Sequence, residues 1–275
     1  MKTVERITLS ILRYLPLIIL CVITITPFYM MLVMSSHSAS SIGTQLNLWF
    51  GGDFLKNATT VFSSGFLRFY WNSFYIAVIA SVGGCLLASM AGYGIAKYRF
   101  RFKKAIMNFT IMVMMIPWAV SIIGYIMEMR GLGLTDSHIP VILPALISPY
   151  GVFLMTQFFG SSVPNEIIES ARLDGCGEFH IFLQIAIPFT RSALITLFLL
   201  IFLFSWNNFF FPLIFISKTS MFTIPLGVFS LSNQYQADYG AQMFALSLAT
   251  IPLLIVFIIN SKNLIKGLSA GAVKG

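Results

Sequence analysis

Six stretches of this chain run for about twenty residues with almost no charge. They cover Tyr14–Met34, then approximately Asn72–Ala96, Ala105–Met127, Ile139–Phe159, Thr190–Ile216 and Ala241–Ile259. As helices rising about 1.5 Å per residue, each reaches roughly 30 Å, the depth of a bilayer's hydrocarbon core. A segment in lipid must close its backbone hydrogen bonds internally. The pattern therefore predicts an all-α integral membrane protein with six transmembrane helices. Composition agrees, since 57% of the residues are apolar and 9% charged, far from the balance of a soluble domain. The net charge of +8 does not point to nucleic acid, because the basic residues sit in loops beside apolar spans rather than on one folded face.

The first stretch follows Lys2, Arg6 and Arg13. It exceeds the apolar region of a signal peptide, about 7 to 15 residues, and Ser38-Ala39-Ser40 is a poor cleavage site, so a retained span is expected. Residues 35–70 are polar and should lie outside the membrane with one or two short helices. Asn57-Ala58-Thr59 fits a glycosylation acceptor there, a tripeptide that often arises by chance. The second stretch carries Ala77, Ala80, Gly83, Gly84, Ala88 and Gly92, small residues that let helices approach closely. Lys97, Arg99, Arg101, Lys103 and Lys104 end it, and this cluster is read as a topology signal in preference to nucleic-acid or lipid-specific binding. Pro117, Pro144 and Pro149 interrupt the third and fourth stretches, which should then face protein or a water path. The Met112–Met115 run reads as packing or a pore gate rather than a metal path.

Six spans put both termini on one side. Placing the termini and the loops after the second and fourth spans in the cytoplasm gathers Lys2, Arg6, Arg13, Lys97, Arg99, Arg101, Lys103, Lys104, Arg172, Arg191, Lys262, Lys266 and Lys274, thirteen of seventeen basic residues. That asymmetry follows the positive-inside rule. The expected organisation is a first span through residue 34, an extracytoplasmic segment 35–70, a core 71–265 with a cytoplasmic loop 164–188, and a cytoplasmic tail 266–275.

The loop Pro164 to Pro188 holds four of the nine acids in the chain, Glu166, Glu169, Asp174 and Glu178. Pro164 suits the first turn of a helix, Glu166 and Glu169 lie near its positive end, and Gly175 supplies a stop. Phe179, Phe182, Leu183 and Ala186 then recur at helical spacing until Pro188 is expected to break the run. Two short amphipathic helices joined by a glycine elbow make a docking surface for a soluble partner. No Gly-x-x-x-x-Gly-Lys-Ser/Thr occurs, so ATP is not expected to bind this chain. His37, His138 and His180 are scattered, and Cys21, Cys85 and Cys176 suggest neither a disulfide nor a metal site. Cys176 reads as incidental, and no catalytic residue is expected. The spans lack the ionisable residues usual in a proton-driven carrier, which leaves the cytoplasmic loop as the inlet for energy.

Glu169-Ser170-Ala171, three residues, Gly175, nine residues and Ile185-Ala186-Ile187-Pro188 resembles the EAA loop of bacterial ATP-binding-cassette importer permeases. Ser170 stands where alanine is usual and Ile187 where leucine is usual. Ser148-Pro149-Tyr150, Ser205-Trp206-Asn207 and the tail from Gly267 to Gly275 extend the likeness over nearly the whole chain, which resembles the second, six-span permease of maltose-type carbohydrate importers. The resemblance implies the type I importer permease fold, a second homologous permease, two cytoplasmic ATPase subunits that carry ATP and Mg, and an extracytoplasmic sugar-binding protein. No cofactor is then expected on this chain. Glu169, Ser170, Ala171, Asp174, Gly175, Ile185 and Pro188 would couple to the ATPase. Tyr150, Trp206, Asn207 and Asn208 are candidates for the substrate path, although an Asn within a span serves equally to bond a neighbouring helix. Asn233, Gln234, Tyr235 and Asp238 are candidates for binding-protein contact. The implied cargo is a carbohydrate, in the first instance an oligosaccharide. A glycerol phosphate or polyol is an alternative, as is a self-sufficient carrier or channel, which would leave the charged loop unexplained.

Overall fold

The computed structural model describes the backbone of residues 2–232 and 238–272 and the side chains of residues 14–232 and 238–260. The described helices are α1 (Lys2–Met34), α2 (Ala39–Thr44), α3 (Phe54–Ser63), α4 (Phe66–Lys97), α5 (Lys103–Met115), α6 (Trp118–Gly131), α7 (Ile139–Leu146), α8 (Pro149–Ser162), α9 (Asn165–Leu173), α10 (Glu178–Phe189), α11 (Arg191–Trp206), α12 (Phe210–Phe215), α13 (Ile224–Ser230) and α14 (Tyr239–Ala272). Four segments are long and apolar enough to cross a membrane: Tyr14–Met34, Phe66–Lys97, Ile139–Ser162 and Tyr239–Asn260. Two bent pairs, α5–α6 at 96° and α10–α11 at 84°, reach that length and apolarity only when taken together, as a broken span or a re-entrant loop.

The breaks mark where the expected spans and the structure differ. The third stretch is two helices, because Pro117 holds Ile116 in an extended conformation with ψ 121° and no helix passes through that residue. The fifth stops at Trp206. There the Asn207 amide turns back to donate to the Leu203 carbonyl at 2.9 Å, and the Asn208 side chain accepts from the Phe211 N–H at 3.2 Å, which starts α12. Pro188 does not break α10, which continues to Phe189 through a π-helical turn at Ile181–Ala186. The wider turn relieves the clash between a proline ring and the preceding helical carbonyl. Helix α4 starts at Phe66, ahead of the expected Asn72, and α14 runs beyond Ile259 to Ala272.

The chain divides into two compact units, one of Met1–Leu67 with Gly227–Ile251 and one of Arg68–Leu226 with Pro252–Gly275. In the first, Phe54 and Phe62 pack edge-on against Phe244 with ring centroids 5.1 and 6.1 Å apart. Asn57 is buried and donates to the Ser35 and His37 carbonyls at 2.9 and 3.0 Å. It is no glycosylation site. The exposed face of α1 from Tyr14 to Ile25 is apolar, a surface suited to lipid.

In the second unit the small residues of α4 act as expected. A Cβ on Gly84 would lie 2.7 Å from the Ala145 carbonyl oxygen, and one on Gly92 would lie 2.7 Å from the Met155 Cβ. Only glycine lets α7 and α8 come this close. Helix α8 also packs against α5, and α11 packs against α7 and α8. The segment after α12 is pinned by polar side chains. The Asp136 carboxylate accepts from the Ser217 and Lys218 N–H groups at 2.6 and 3.2 Å, and Asn72 donates to the Ser220 and Phe222 carbonyls. The Ser217 N–H, then that of Lys218, draws the Asp136 carboxyl below its usual range. His138 is bonded to the Tyr75 hydroxyl and to the Met221 carbonyl, so a neutral ring carries its proton on Nε2.

Candidate functional site

The elbow between α9 and α10 is built from local chemistry. Glu166 lies in the first turn of α9 and Arg172 in the last, each favourable with the helix dipole. Gly175 takes φ +80°, the left-handed region that glycine enters without cost. The Cys176 N–H bonds the Ala171 carbonyl at 3.0 Å and the Gly175 N–H bonds the Arg172 carbonyl at 3.1 Å, the paired contacts of a Schellman cap. Cys176, half-buried, packs against the same apolar cluster as Ala171 and so closes the cap. That cluster is continuous with the bundle. Ile168 and Ala171 of α9 and Ile181, Phe182 and Ala186 of α10 share it with Tyr93, Phe159, Ala193 and Leu197. A push on the elbow therefore reaches α4, α8 and α11 through close-packed side chains.

The outer face is different in kind. Glu169, Ser170, Asp174, Gly175 and Pro188 are exposed, Ile185 is half-buried, and Ala171 is the buried member of the set. The sequence motif thus splits into anchor and surface. Leu173 is 89% exposed and Phe179 65% exposed, with Leu183 also open. Apolar groups of this size at the tip of a polar turn are expected where a partner covers them. Sequence reasoning passed over Leu173, whose signal was a large aliphatic residue between Arg172 and Asp174 at the end of a polar helix.

The elbow is locked to the end of α4 by one acid. Glu178 accepts from Arg172 Nε at 2.6 Å and Nη2 at 3.2 Å, and from the Tyr98 hydroxyl at 2.6 Å. Arg172 also lies 5.7 Å from the centre of the Tyr98 ring. The Arg172 guanidinium, then the Tyr98 hydroxyl, holds the Glu178 carboxyl below the usual carboxylate range. Burial, together with the bond to Glu178, pushes the Tyr98 phenol up to about 12.

A second feature lies beside the proline breaks. An open cavity of about 770 Å³ is lined by Met114, Met115, Pro117, Trp118, Ser148, Tyr150, Leu197 and Phe204 among others, and no charged residue borders it. Its volume falls in the range of small-molecule sites. Tyr150 and Trp118 contribute aromatic faces, and both are substantially exposed. The Ser148 hydroxyl caps α8 by accepting from the Gly151 N–H at 3.0 Å. Of the candidate path residues, Tyr150 lines this cavity and Trp206, Asn207 and Asn208 do not. Trp206 is 2% exposed, stacked on Phe202 at 5.6 Å and edge-on to Tyr70 at 5.5 Å. Asn207 and Asn208 serve the helix break.

Of the candidate binding-protein contacts, Asp238 accepts from the Ala241 N–H at 3.0 Å and so starts α14. Asn233, Gln234 and Tyr235 lie outside the described residues. Among the described residues, no three His, Cys, Asp or Glu side chains gather as metal ligands, and Cys21, Cys85 and Cys176 are free thiols.

Helices that part at prolines around an uncharged cavity, with a polar elbow rooted in the same core, define a membrane transport component. The chain belongs to the family described as the binding-protein-dependent transport system inner membrane component, whose model matches residues 84–269. It is 37% identical over 221 residues to the arabinooligosaccharides transport system permease protein AraQ of Bacillus subtilis (strain 168), covering 80% of this chain and 78% of that one. It is 30% identical over 275 residues to the lactose transport system permease protein LacG of Rhizobium radiobacter, covering all of both. The sn-glycerol-3-phosphate transport system permease protein UgpE of Brucella abortus (strain 2308) is 26% identical over 275 residues, covering 96% of this chain and 97% of that one. The fold matches a chain in the crystal structure of a bacterial ABC transporter involved in the import of the acidic polysaccharide alginate. That match has a TM-score of 0.80 at 21% identity and covers 94% of this chain and 96% of the other. As a member of this family the chain acts with the other components of a transport system.

Proposed function

We propose that this chain is one of two permease subunits of an ATP-driven carbohydrate importer, with an oligosaccharide as cargo. In this reading six spans cross the membrane, the third being the bent pair α5–α6 and the fifth running from α11 into α12, and both termini are cytoplasmic. Two ATPase subunits, holding ATP and Mg, receive the elbow of α9 and α10. A second homologous permease completes the pore, and an extracytoplasmic binding protein delivers the sugar. The observation that carries the reading is the elbow itself, whose exposed Leu173 and Phe179 sit over a buried anchor continuous with α4, α8 and α11. Closure of the ATPase pair would move that anchor as a rigid body and switch the access of the cavity.

Two relatives named for arabinooligosaccharides and lactose support a sugar cargo. The aromatic faces of Trp118 and Tyr150 suit the apolar faces of sugar rings. The relative named for sn-glycerol-3-phosphate favours a phosphorylated cargo instead. The uncharged lining of the cavity argues against that second reading, since a phosphate would call for a cation beside the path. The test is uptake in proteoliposomes carrying the full set of subunits, with labelled oligosaccharides and glycerol 3-phosphate in parallel. ATP-dependent oligosaccharide uptake supports the proposal. Flux through this chain alone without ATP would overturn it.

A further inference from the structure

The basic residues that follow α4 form more than a row of charges. Lys97, Arg99 and Lys103 line a cavity of about 450 Å³ with Tyr98, and α9 closes the other side with Asn165, Ile168, Glu169 and Arg172. The cations are held in different ways. Lys97 Nζ donates to the Val163 carbonyl at 2.6 Å and to Asn165 Oδ1 at 2.9 Å, leaving one of its three donors unspent. Lys103 Nζ turns back to the Ala96 and Tyr98 carbonyls at 3.1 and 3.5 Å, which also leaves one. Arg172 is committed to Glu178. The Arg99 guanidinium makes no hydrogen bond or ion pair with any other described residue, so none of its five donors is spent among them.

The charge balance points the same way. With Arg172 neutralised by Glu178, three lining cations remain against Glu169 in the lining and Glu166 close enough to act on Lys97, an excess of one positive charge. The first turn of α9 opens at Asn165, which lines the cavity, so the positive end of a nine-residue helix lies beside it, with Glu166 offsetting part of that field. Like charges gathered around a polar cavity repel one another. An oxyanion with several acceptors offsets that repulsion and takes up the unused donors. A carboxylate offers two acceptor oxygens, whereas a phosphate group offers more and matches a site with this many donors.

We propose that the cavity between the end of α4 and α9 binds a phosphate group, with Arg99 and Lys103 as its principal ligands and Lys97 as the fixed wall. Lys97 is the last residue of a helix long and apolar enough to cross the membrane, so the cavity opens near the level where lipid headgroups lie. The favoured source is therefore the phosphodiester of an anionic lipid, in keeping with basic pockets at the ends of membrane helices. The assignment to the cytoplasmic leaflet rests on the orientation proposed above; the phosphate site does not. Because Tyr98 and Arg172 border the cavity and hold Glu178, an occupied site would brace the elbow.

The full chain, purified with its co-purifying subunits, is placed in nanodiscs of phosphatidylglycerol or of phosphatidylcholine. Retained lipids are counted by native mass spectrometry, and a parallel arm adds inorganic phosphate to phosphatidylcholine discs and reads phosphate-dependent thermal protection. The expected result is selective retention of phosphatidylglycerol that falls about five-fold for each cation removed in Arg99→Gln and Lys103→Gln, and that persists in Arg99→Lys. Phosphate protection lost in the same variants, without lipid selectivity, would keep the site and assign it a soluble phosphate. Should Lys103→Gln fail to insert, Arg99→Gln alone decides, because Arg99 has no hydrogen-bond or ion-pair partner among the described residues to lose. Equal retention of both lipids with no phosphate protection would overturn the proposal. So would loss of ATPase co-purification in Arg99→Gln with lipid retention unchanged, which would give the cavity to an acidic side chain of a protein partner.

Discussion

The elbow at α9–α10 and the cavity beside the α5–α6 break both depend on short helices and prolines, yet they present opposite chemistry. The elbow is polar at its surface with a few exposed apolar residues, and its underside is buried in the bundle core. The cavity is uncharged and bordered by methionine, proline and aromatic side chains. A polar turn showing Leu173 and Phe179 suits a soluble partner, whereas an uncharged hollow with aromatic faces suits a neutral cargo. In the proposed reading the difference separates where force would enter from where substrate would pass, and α11 borders both regions.

The largest expected effect comes from breaking the helix on which both regions rest. Gly84→Val would set its Cβ against the Ala145 carbonyl and Ile201, where a clash in a close-packed interior costs about 1–3 kcal/mol or more. It should reduce the yield of monodisperse protein and lower its unfolding temperature in detergent. The two regions are then separated by paired substitutions. Leu173→Asp should leave insertion intact and weaken ATPase association by about ten-fold or more, from the roughly 1.5–3 kcal/mol that a buried leucine contributes; quantitative pull-down reads it. Tyr150→Ala should leave that association unchanged and raise the half-saturating sugar concentration by about two- to ten-fold, through loss of an aromatic contact. If both variants failed in the same assay, the separation would not hold.

The smallest effect concerns the lock between elbow and α4. Glu178 is partly exposed, so Glu178→Gln should cost less than about 1 kcal/mol. Its carboxyl titrates below the ordinary range when folded, so the contribution is fully present at neutral pH and fades as acid takes the pH through the lowered value. Unfolding temperatures of wild type and variant should therefore converge in acid and differ slightly at neutral pH.

The elbow was legible because it is local. A proline, two acids, a glycine at φ +80° and the helical spacing of Phe179, Phe182, Leu183 and Ala186 specify helix, turn and helix without help from the rest of the chain, although Pro188 does not end the second helix where expected. Leu173 escaped notice because exposure is a tertiary property. The cavity was legible only in part, since residues near 115, 148 and 200 meet through the packing of α5, α7, α8 and α11. Tyr150 could be named in advance because an aromatic face suits a hydroxyl-rich ligand. Trp206 could not be placed from spacing alone, because Phe202 and Tyr70 take its faces and Asn207 ends its helix. The breaks within the third and fifth stretches have physical causes already visible as residues, Pro117 in one and Asn207-Asn208 in the other. Their strength against the helical tendency of the surrounding apolar run was not.

The most direct measurement joins the elbow to its partner covalently. In a chain with Cys21, Cys85 and Cys176 replaced by alanine, single cysteines at Ser170→Cys and Tyr150→Cys are treated with a short bifunctional maleimide in membranes containing the assembled importer. The account predicts a product of this chain with an ATPase subunit from Ser170→Cys, and none from Tyr150→Cys. An ATPase cross-link from Tyr150→Cys, or its absence from Ser170→Cys in a complex that still transports, would contradict it.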